Sequence, residues 1–491
     1  MPRLELLFVV LVLGACAREF PNQALTGRPS NDYLYQLAQT PEPDPNRPYI
    51  VMTFSGGGAR ASALTYDVLE LLKHAKYNWK GETHSLVEDV RVISSVSGGS
   101  VTAAWFGLKG PDHLEELNAD FLTQPNMGEM IATGLSPVTL ARLAGPNYAR
   151  IDILREYLDE KLFKQATYRD MYSRPGVPLV ILNATDMSTG DVFDFTPERF
   201  DDICSDLGAL PLATGVASSA AFPVALTPMT LKNWSEGCTQ RKPDKNTDVI
   251  LRKDNTQIRF VNPSDFMQAQ RVQRMRSNEE EYVHLLDGGL ADNIGATSAL
   301  TSLFGLRYSN DAVFKLNTGK IKNLVVIAVN ARSDADTGLD TRSSTPGIFS
   351  VIGTVIDAPI DSASRGSMTR LSDRLGEFRT FVQDLKAGGS NDGPDFLYGM
   401  QIDFDQFDIT DQDQLKLRHS VKNIATSWSI DATGLTELNQ AAETLLLQHA
   451  CFQALAKQLN VTFDIPAVES HRQAVLARHN FSGFCESSTQ P

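Results

Sequence analysis

The stretch Ile93–Val101, ISSVSGGSV, carries four serines (Ser94, Ser95, Ser97, Ser100) within seven positions, beside two glycines. A serine becomes a nucleophile when a sharp strand-to-helix turn presents its hydroxyl, and that turn needs small residues two before and two after it. Ser94 has Val92 and Val96 at those positions, and Ser95 has Ile93 before it. Ser100 has Gly98 and Thr102 but falls inside the first turn of the helix. Ser97, between Ser95 and Gly99, sits at the apex and is the candidate nucleophile. It needs a base. The eight histidines offer no persuasive partner; His284 lies near a strand but on the wrong side of the next glycine turn and reads as structural. Asp287, in LLDGGLADNIG, closes an apolar strand and is followed by two glycines that clear space. Aspartate is a weak base in water, with a pKa of ~3.9, but a dehydrated site beside a hydroxyl raises its basicity. The same position also suits an aspartate that caps a turn.

A second turn, SGGGAR (Ser55–Arg60), offers backbone N–H groups at the positive end of a helix. Such a turn holds an anion, either a phosphate or the oxyanion of an ester's tetrahedral intermediate. Gly56, Gly58 and Ala61 also fit the dinucleotide pattern G-x-G-x-x-A. That pattern requires a carboxylate closing the second strand to bind ribose. Here the second strand, VRVIS, runs into SVSGG without one, which argues against a dinucleotide fold.

Both turns need strands before them and helices after them. Ile50–Phe54 reads as a buried parallel strand, and Leu64, Val68, Leu71 and Leu72 follow at helical spacing. A strand at about 90–94 and a helix from Gly99 repeat the pattern. Further strands are expected at 177–186, 284–289 and 322–332. The alternation predicts an α/β fold with a mostly parallel sheet and helices on both faces. Between Trp234 and Tyr282 lies a charged insertion with two short β-like pieces, DVILRK and QIRFVN. Beyond 332 the pattern predicts a long helix at 352–386, a strand beginning at Phe396, and a helix at 434–459.

The 491 residues include 45 basic and 59 acidic side chains, a formal charge of −14, and no dense Lys/Arg stripe. That surface repels phosphate backbones, so a nucleic-acid partner is not expected. At the N-terminus one Arg precedes the apolar run Leu6–Leu13, far short of the ~20 residues that span a bilayer but suited to a signal-peptide core. The tail LGAC resembles a bacterial lipobox, which makes Cys16 the acylated first mature residue. With Ala17 next, the resemblance implies a lipoprotein of the outer membrane in a bacterial cell envelope. The expected division is a signal peptide at 1–15, a lipid anchor and polar tether at 16–47, a catalytic body at 48–332, and a C-terminal extension at 333–491. In an oxidising compartment the other four cysteines can pair. Three connectivities exist; the local one, Cys204–Cys238 with Cys451–Cys485, is expected. No Cys/His cluster suggests a metal.

In order, SGGGAR, SVSGG, ASSAAFP (Ala217–Pro223) and DGG resemble the patatin-like phospholipase family. The resemblance implies a three-layer α/β/α fold and a Ser–Asp dyad without histidine, with Ser97 as nucleophile and Asp287 as base. It implies an oxyanion loop at Gly56, Gly57 and Gly58 with Arg60 as its basic residue, no cofactor, and a phospholipid or lysophospholipid substrate. The chain departs from the family at Ser95, where glycine is usual; serine is small enough for the turn, but its hydroxyl becomes a rival for the nucleophile's hydrogen bonds. Two other readings remain: an esterase with a Ser-His-Asp triad, and an inactive envelope lipoprotein of the same fold.

Overall fold

Residues 20–26, 44–239, 245–251, 263–304, 315–316, 319–333, 348–388, 396–478 and 485 are described by the computed structural model. The first strand, β1 (Pro48–Phe54), is buried along its whole length and leads into helix α1 (Gly58–His74). A small sheet follows with β2 (Ala75–Trp79) and β3 (Glu82–Ser85). Next come β4 (Val90–Val96), α2 (Gly98–Lys109), α3 (Asn126–Gly134), α4 (Pro137–Leu143) and α5 (Arg150–Leu158). The chain continues through β5 (Leu179–Asp186), β6 (Val192–Asp194), α6 (Leu212–Ser219), β7 (Met229–Lys232) and β8 (Tyr282–Asp287). After these lie α7 (Ala296–Phe304), β9 (Asn323–Asn330), α8 (Ile348–Ala387), β10 (Phe396–Asp403) and α9 (Gln412–Lys422). The last elements used below are α10 (Ala432–Gln448), α11 (Ala450–Leu459) and β11 (Thr462–Phe463), which joins the small sheet.

The main sheet has the order β10-β9-β1-β4-β5-β8-β7, with β6 bonded to β5. From β10 to β5 every pairing is parallel, while β8 and β7 are antiparallel. Helices α1, α2, α6 and α10 pack together in one layer, and α7 and α8 in another. Covered on both faces, β1, β4, β5 and β9 bury nearly every side chain, which is why they read as continuous apolar runs. This is the expected α/β/α sandwich. β10, from the segment assigned to a C-terminal extension, forms the edge of this sheet beside β9.

The register brings the two halves of the site together. Val96 of β4 pairs with Asn183 of β5, and Ala184 pairs with Asp287 of β8. β8 therefore enters from beyond the carboxyl end of β5 and stops beside the residue that follows β4.

Three details differ from the sequence reading. In DVILRK, Asp248–Ile250 end a helix (Lys245–Ile250) instead of forming a strand, so context overrides the β preference of Val and Ile; QIRFVN lies outside the described residues. The helix expected at 434–459 is two helices, broken at His449, whose backbone turns extended and whose ring accepts the N–H of Cys451. Residues 20–26, expected as tether, are seated on the body. Asn22 accepts the N–H of Lys232 and donates to its carbonyl, Leu25 donates to the carbonyl of Cys204, and Phe20 stacks on Tyr282 at 5.3 Å. The disulfides are Cys204–Cys238 and Cys451–Cys485. Each closes a separation of 34 residues, which restricts the unfolded chain by roughly 3–4 kcal/mol on a loop-entropy model. Cys16 lies outside the described residues.

Candidate active site

Between β4 and α2, Ser97 has φ 50° and ψ −120°, a conformation disfavoured for any residue with a Cβ. The packing that imposes it is severe. A Cβ on Gly98 would lie 1.9 Å from the carbonyl oxygen of Gly58, and one on Gly99 would lie 2.7 Å from that of Ser55. The two glycine turns are thus pressed backbone to backbone, and only glycine fits after the serine.

The hydroxyl of Ser97 donates to Oδ2 of Asp287 at 2.8 Å, and Oδ1 of Asp287 accepts the N–H of Gly289 at 2.8 Å. Both side chains are buried. Burial raises the Asp287 carboxyl to about 6, against the two hydrogen bonds, which pull it down. A carboxylate so raised is a better proton acceptor than an exposed one, yet it is still ionised at neutral pH. The backbone of Asp287 is fixed on both sides. Its N–H donates to Ala221, and its carbonyl accepts from Thr185 Oγ1 at 2.8 Å.

One residue that sequence reasoning did not single out ties both turns. Ser219 Oγ accepts the N–H of Ser97 at 2.8 Å and donates to the Asn183 carbonyl at 2.6 Å. The Ser219 carbonyl accepts the N–H of Gly288, next to the aspartate. The block ASSAAFP is the signal that held this residue: its small side chains let α6 end against both turns. Ser95 is equally settled. Its hydroxyl lies 3.1 Å from Ser100 Oγ and 3.3 Å from the Ile181 carbonyl, and Ser100 in turn lies 2.9 Å from Ser219 Oγ. The departure from glycine therefore feeds a buried hydroxyl chain behind the elbow and does not reach the hydroxyl of Ser97.

In the other turn, Gly57 (φ 139°) and Gly58 (φ 61°) occupy glycine territory. The expected donor set needs correction at two places. Gly56 donates its N–H to the Asn293 carbonyl at 3.0 Å, so it braces the turn and has no N–H to spare. Among the described residues the N–H groups of Gly57 and Gly58 have no acceptor. Arg60 does not face the site. Its Nε donates to Ala331 O at 2.8 Å, Nη1 to Ile424 O, and Nη2 to Thr426 Oγ1 at 3.3 Å. Buried without a carboxylate, the guanidinium is pushed down to about 10 and remains cationic, acting as a clamp on carbonyls. What it clamps is a strap, residues 424–429, which no motif announced. Ser427 O accepts the N–H of Ala59 at 2.7 Å and would lie 2.4 Å from a Cβ on Gly58.

Five histidines take other partners: His284 bonds Thr230, and His74, His84, His113 and His471 pair with carboxylates. Among the described residues no cluster of three or more His, Cys, Asp or Glu is arranged to hold a metal.

A strand-turn-helix serine, a carboxylate on its hydroxyl and a glycine turn with unclaimed amides form one contiguous site. A family model described as patatin-like phospholipase matches residues 52–300, which include Gly56–Gly58, Ser97 and Asp287. No curated protein matches the chain by sequence search. Among solved structures, human GIVD cytosolic phospholipase A2 is 14% identical, with a TM-score of 0.32, over 64% of this chain and 49% of that one. The same human enzyme with methyl gamma-linolenyl fluorophosphonate and terbium chloride gives 13% and 0.30, over 64% and 47%. The ExoU–SpcU complex of Pseudomonas aeruginosa gives 14% and 0.18, over 88% and 89%. The chain spans about half the length of the human enzyme. At these identities and TM-scores the family model decides membership, not the superpositions. The chain belongs to the patatin-like phospholipase family.

Proposed function

We propose that this protein is a lipid-anchored serine acyl hydrolase that cleaves fatty-acyl esters of phospholipids or lysophospholipids with a Ser97–Asp287 dyad. Asp287 takes the proton of Ser97 as its oxygen attacks the ester carbonyl. The oxyanion is stabilised by the N–H groups of Gly57 and Gly58. Asp287 returns the proton to the departing alcohol, leaving an acyl-serine. Water, deprotonated by the same carboxylate, then releases the fatty acid and restores the serine. The observation that carries this reading is the 2.8 Å hydrogen bond from Ser97 to Asp287 at a strained elbow pressed against the glycine turn. Family membership supports the lipid ester as substrate.

The lipobox-like LGAC supports acylation at Cys16 and a place on the bacterial outer membrane. Wild type and Ser97→Ala, incubated with phosphatidylcholine and lysophosphatidylcholine, test the chemistry. Fatty acid released by wild type alone, with a fluorophosphonate adduct mapped to Ser97, is the expected result. An unlabelled wild-type protein with no released acid overturns it and leaves an inactive scaffold. A histidine whose single replacement abolishes turnover overturns the dyad in favour of a triad. Intact mass of the mature chain, with an acylated Cys16 or without, tests the anchor.

A further inference from the structure

Helices α3 and α4 carry an apolar face left exposed among the described residues. Ile131, Leu135, Val138 and Leu140 are 54%, 68%, 71% and 51% exposed. Between Met130 and Ala141 there is no charged residue. The two charges that flank this run are both turned back toward the body. Glu129 pairs with Lys161 and accepts from Tyr157, and Arg142 pairs with Glu156 of α5. A contiguous exposed apolar patch of this kind marks a surface where a protein, a membrane or a ligand meets the fold.

Its position says what it docks on. Asn126, at the start of α3, donates to the carbonyl of Trp428, and Met127 donates to Ser429 Oγ. One residue earlier, Ser427 lies against Gly58. The apolar hairpin therefore begins next to the glycine turn, at the carboxyl edge of the parallel strands. The N-terminal segment reaches the same edge. Asp186, at the carboxyl end of β5, pairs with Leu285, and Tyr282 lies three residues beyond that pair. Phe20 stacks on Tyr282. Cys16 is only four residues before Phe20, a reach of at most about 14 Å.

We infer that the α3–α4 hairpin is a membrane-docking surface that seats the protein on a neutral, zwitterionic phospholipid bilayer with the Ser97 site facing the lipid. A face without charge gains nothing from anionic headgroups, and the overall charge of −14 repels them. Buried apolar side chains supply the attachment, and it does not weaken as salt is raised. The short path from Cys16 to the seated Phe20 allows an anchor on that residue and the hairpin to engage one bilayer. The delivery of substrate rests on the acyl-hydrolase reading; the docking does not.

The test uses the full chain carrying Cys16→Ser, so that acylation contributes nothing, with and without Leu135→Asp and Val138→Asp together. Both sites are exposed, so the fold should persist, checked by an unchanged melting temperature. Partition onto phosphatidylcholine vesicles should fall at least tenfold in the double variant, and partition of the Cys16→Ser parent should be the same in 0.1 and 1 M NaCl. Hydrolysis of vesicle lipid should fall in parallel, while turnover of soluble p-nitrophenyl butyrate stays within twofold. Unchanged vesicle partition overturns the inference. So does loss of a dimer by sedimentation in the double variant, which would make the hairpin an interface between copies. If the parent hydrolyses neither substrate while only the double variant leaves the vesicles, the acyl-hydrolase reading fails and the docking stands.

Discussion

Ser55–Gly58 and Val96–Gly99 both carry the chain from a buried parallel strand into a buried helix, yet their backbone amides meet different company. In the first turn the N–H groups of Gly57 and Gly58 have no acceptor among the described residues, and Gly56 and Ala59 on either side are held by Asn293 and Ser427. In the second, the N–H of Ser97 is held by Ser219 and the side chain is what the turn presents. The first turn offers donors; the second presents the candidate nucleophile and, at Gly98 and Gly99, N–H groups that likewise have no acceptor among the described residues. Positive φ serves both ends: glycine reaches it freely, whereas Ser97 takes it at a turn packed so closely that a Cβ added to Gly98 would lie 1.9 Å from the Gly58 carbonyl oxygen. Turns that look alike in sequence thus differ chiefly in whether a side-chain hydroxyl is presented at the apex.

The largest effect should come from removing what only the second turn supplies. Ser97→Ala should lower turnover roughly 10⁴-fold or more without lowering the melting temperature, measured on a lipid ester. Asp287→Asn should cost nearly as much, about 10³–10⁴-fold. Wild-type turnover should fall tenfold per pH unit below about 6, because the base must be ionised. Stability runs the other way. The folded carboxyl, raised from 3.8 to about 6, favours its protonated form, so its contribution is complete below 3.8 and is lost as pH rises through about 6. At pH 8 Asp287→Asn should therefore be the more stable protein, by roughly 1–3 kcal/mol in denaturant melts.

The first turn should break less completely. Gly58→Ala keeps its N–H but drives a Cβ to 2.4 Å from the Ser427 carbonyl at φ 61°, so the turn must shift. A displacement on the order of 1 Å costs roughly 10²-fold in turnover. Gly56→Ala meets the side-chain oxygen of Asn293, which can swing aside, and should cost less. Ser219→Ala removes the acceptor for the Ser97 N–H and should lower turnover about tenfold, the equivalent of about one lost hydrogen bond. The smallest effect belongs to Ser95→Gly. Its hydroxyl ends a chain behind the elbow, and turnover should stay within about threefold. A much larger loss there would show that the hydroxyl chain, and not the glycine packing, shapes the second turn.

Much of this site is legible in the amino-acid sequence. The bulky neighbours of Ser94 and Ser95 and the helical position of Ser100 leave Ser97, and Asp287 stands out because it ends an apolar strand before two glycines. The central strands announce themselves because helices cover both faces and leave unbroken apolar runs. Less legible is anything that depends on a distant segment. Arg60 follows the glycines directly, yet its direction is set by carbonyls at Ala331 and Ile424. Gly56 looks like its two neighbours until the carbonyl of Asn293 claims its N–H. Residues 20–26 read as a polar tether because Asn22 finds its partners on Lys232 and Ser205.

The sequence by itself determined which residues can do chemistry, because size, period and turn propensity act over a few neighbours. It determined the layers, the two turns, and the candidates for nucleophile and base. Tertiary structure alone decided the rest. The antiparallel entry of β8 sets Asp287 beside Ser97 across 190 residues of chain. The strap at 424–429 closes over the glycine turn, and Ser219 joins the turns at Ser97 and Asp287. The physical reason is that a hydrogen bond needs its partner within about 3 Å, and no local pattern encodes which remote carbonyl or hydroxyl will arrive there.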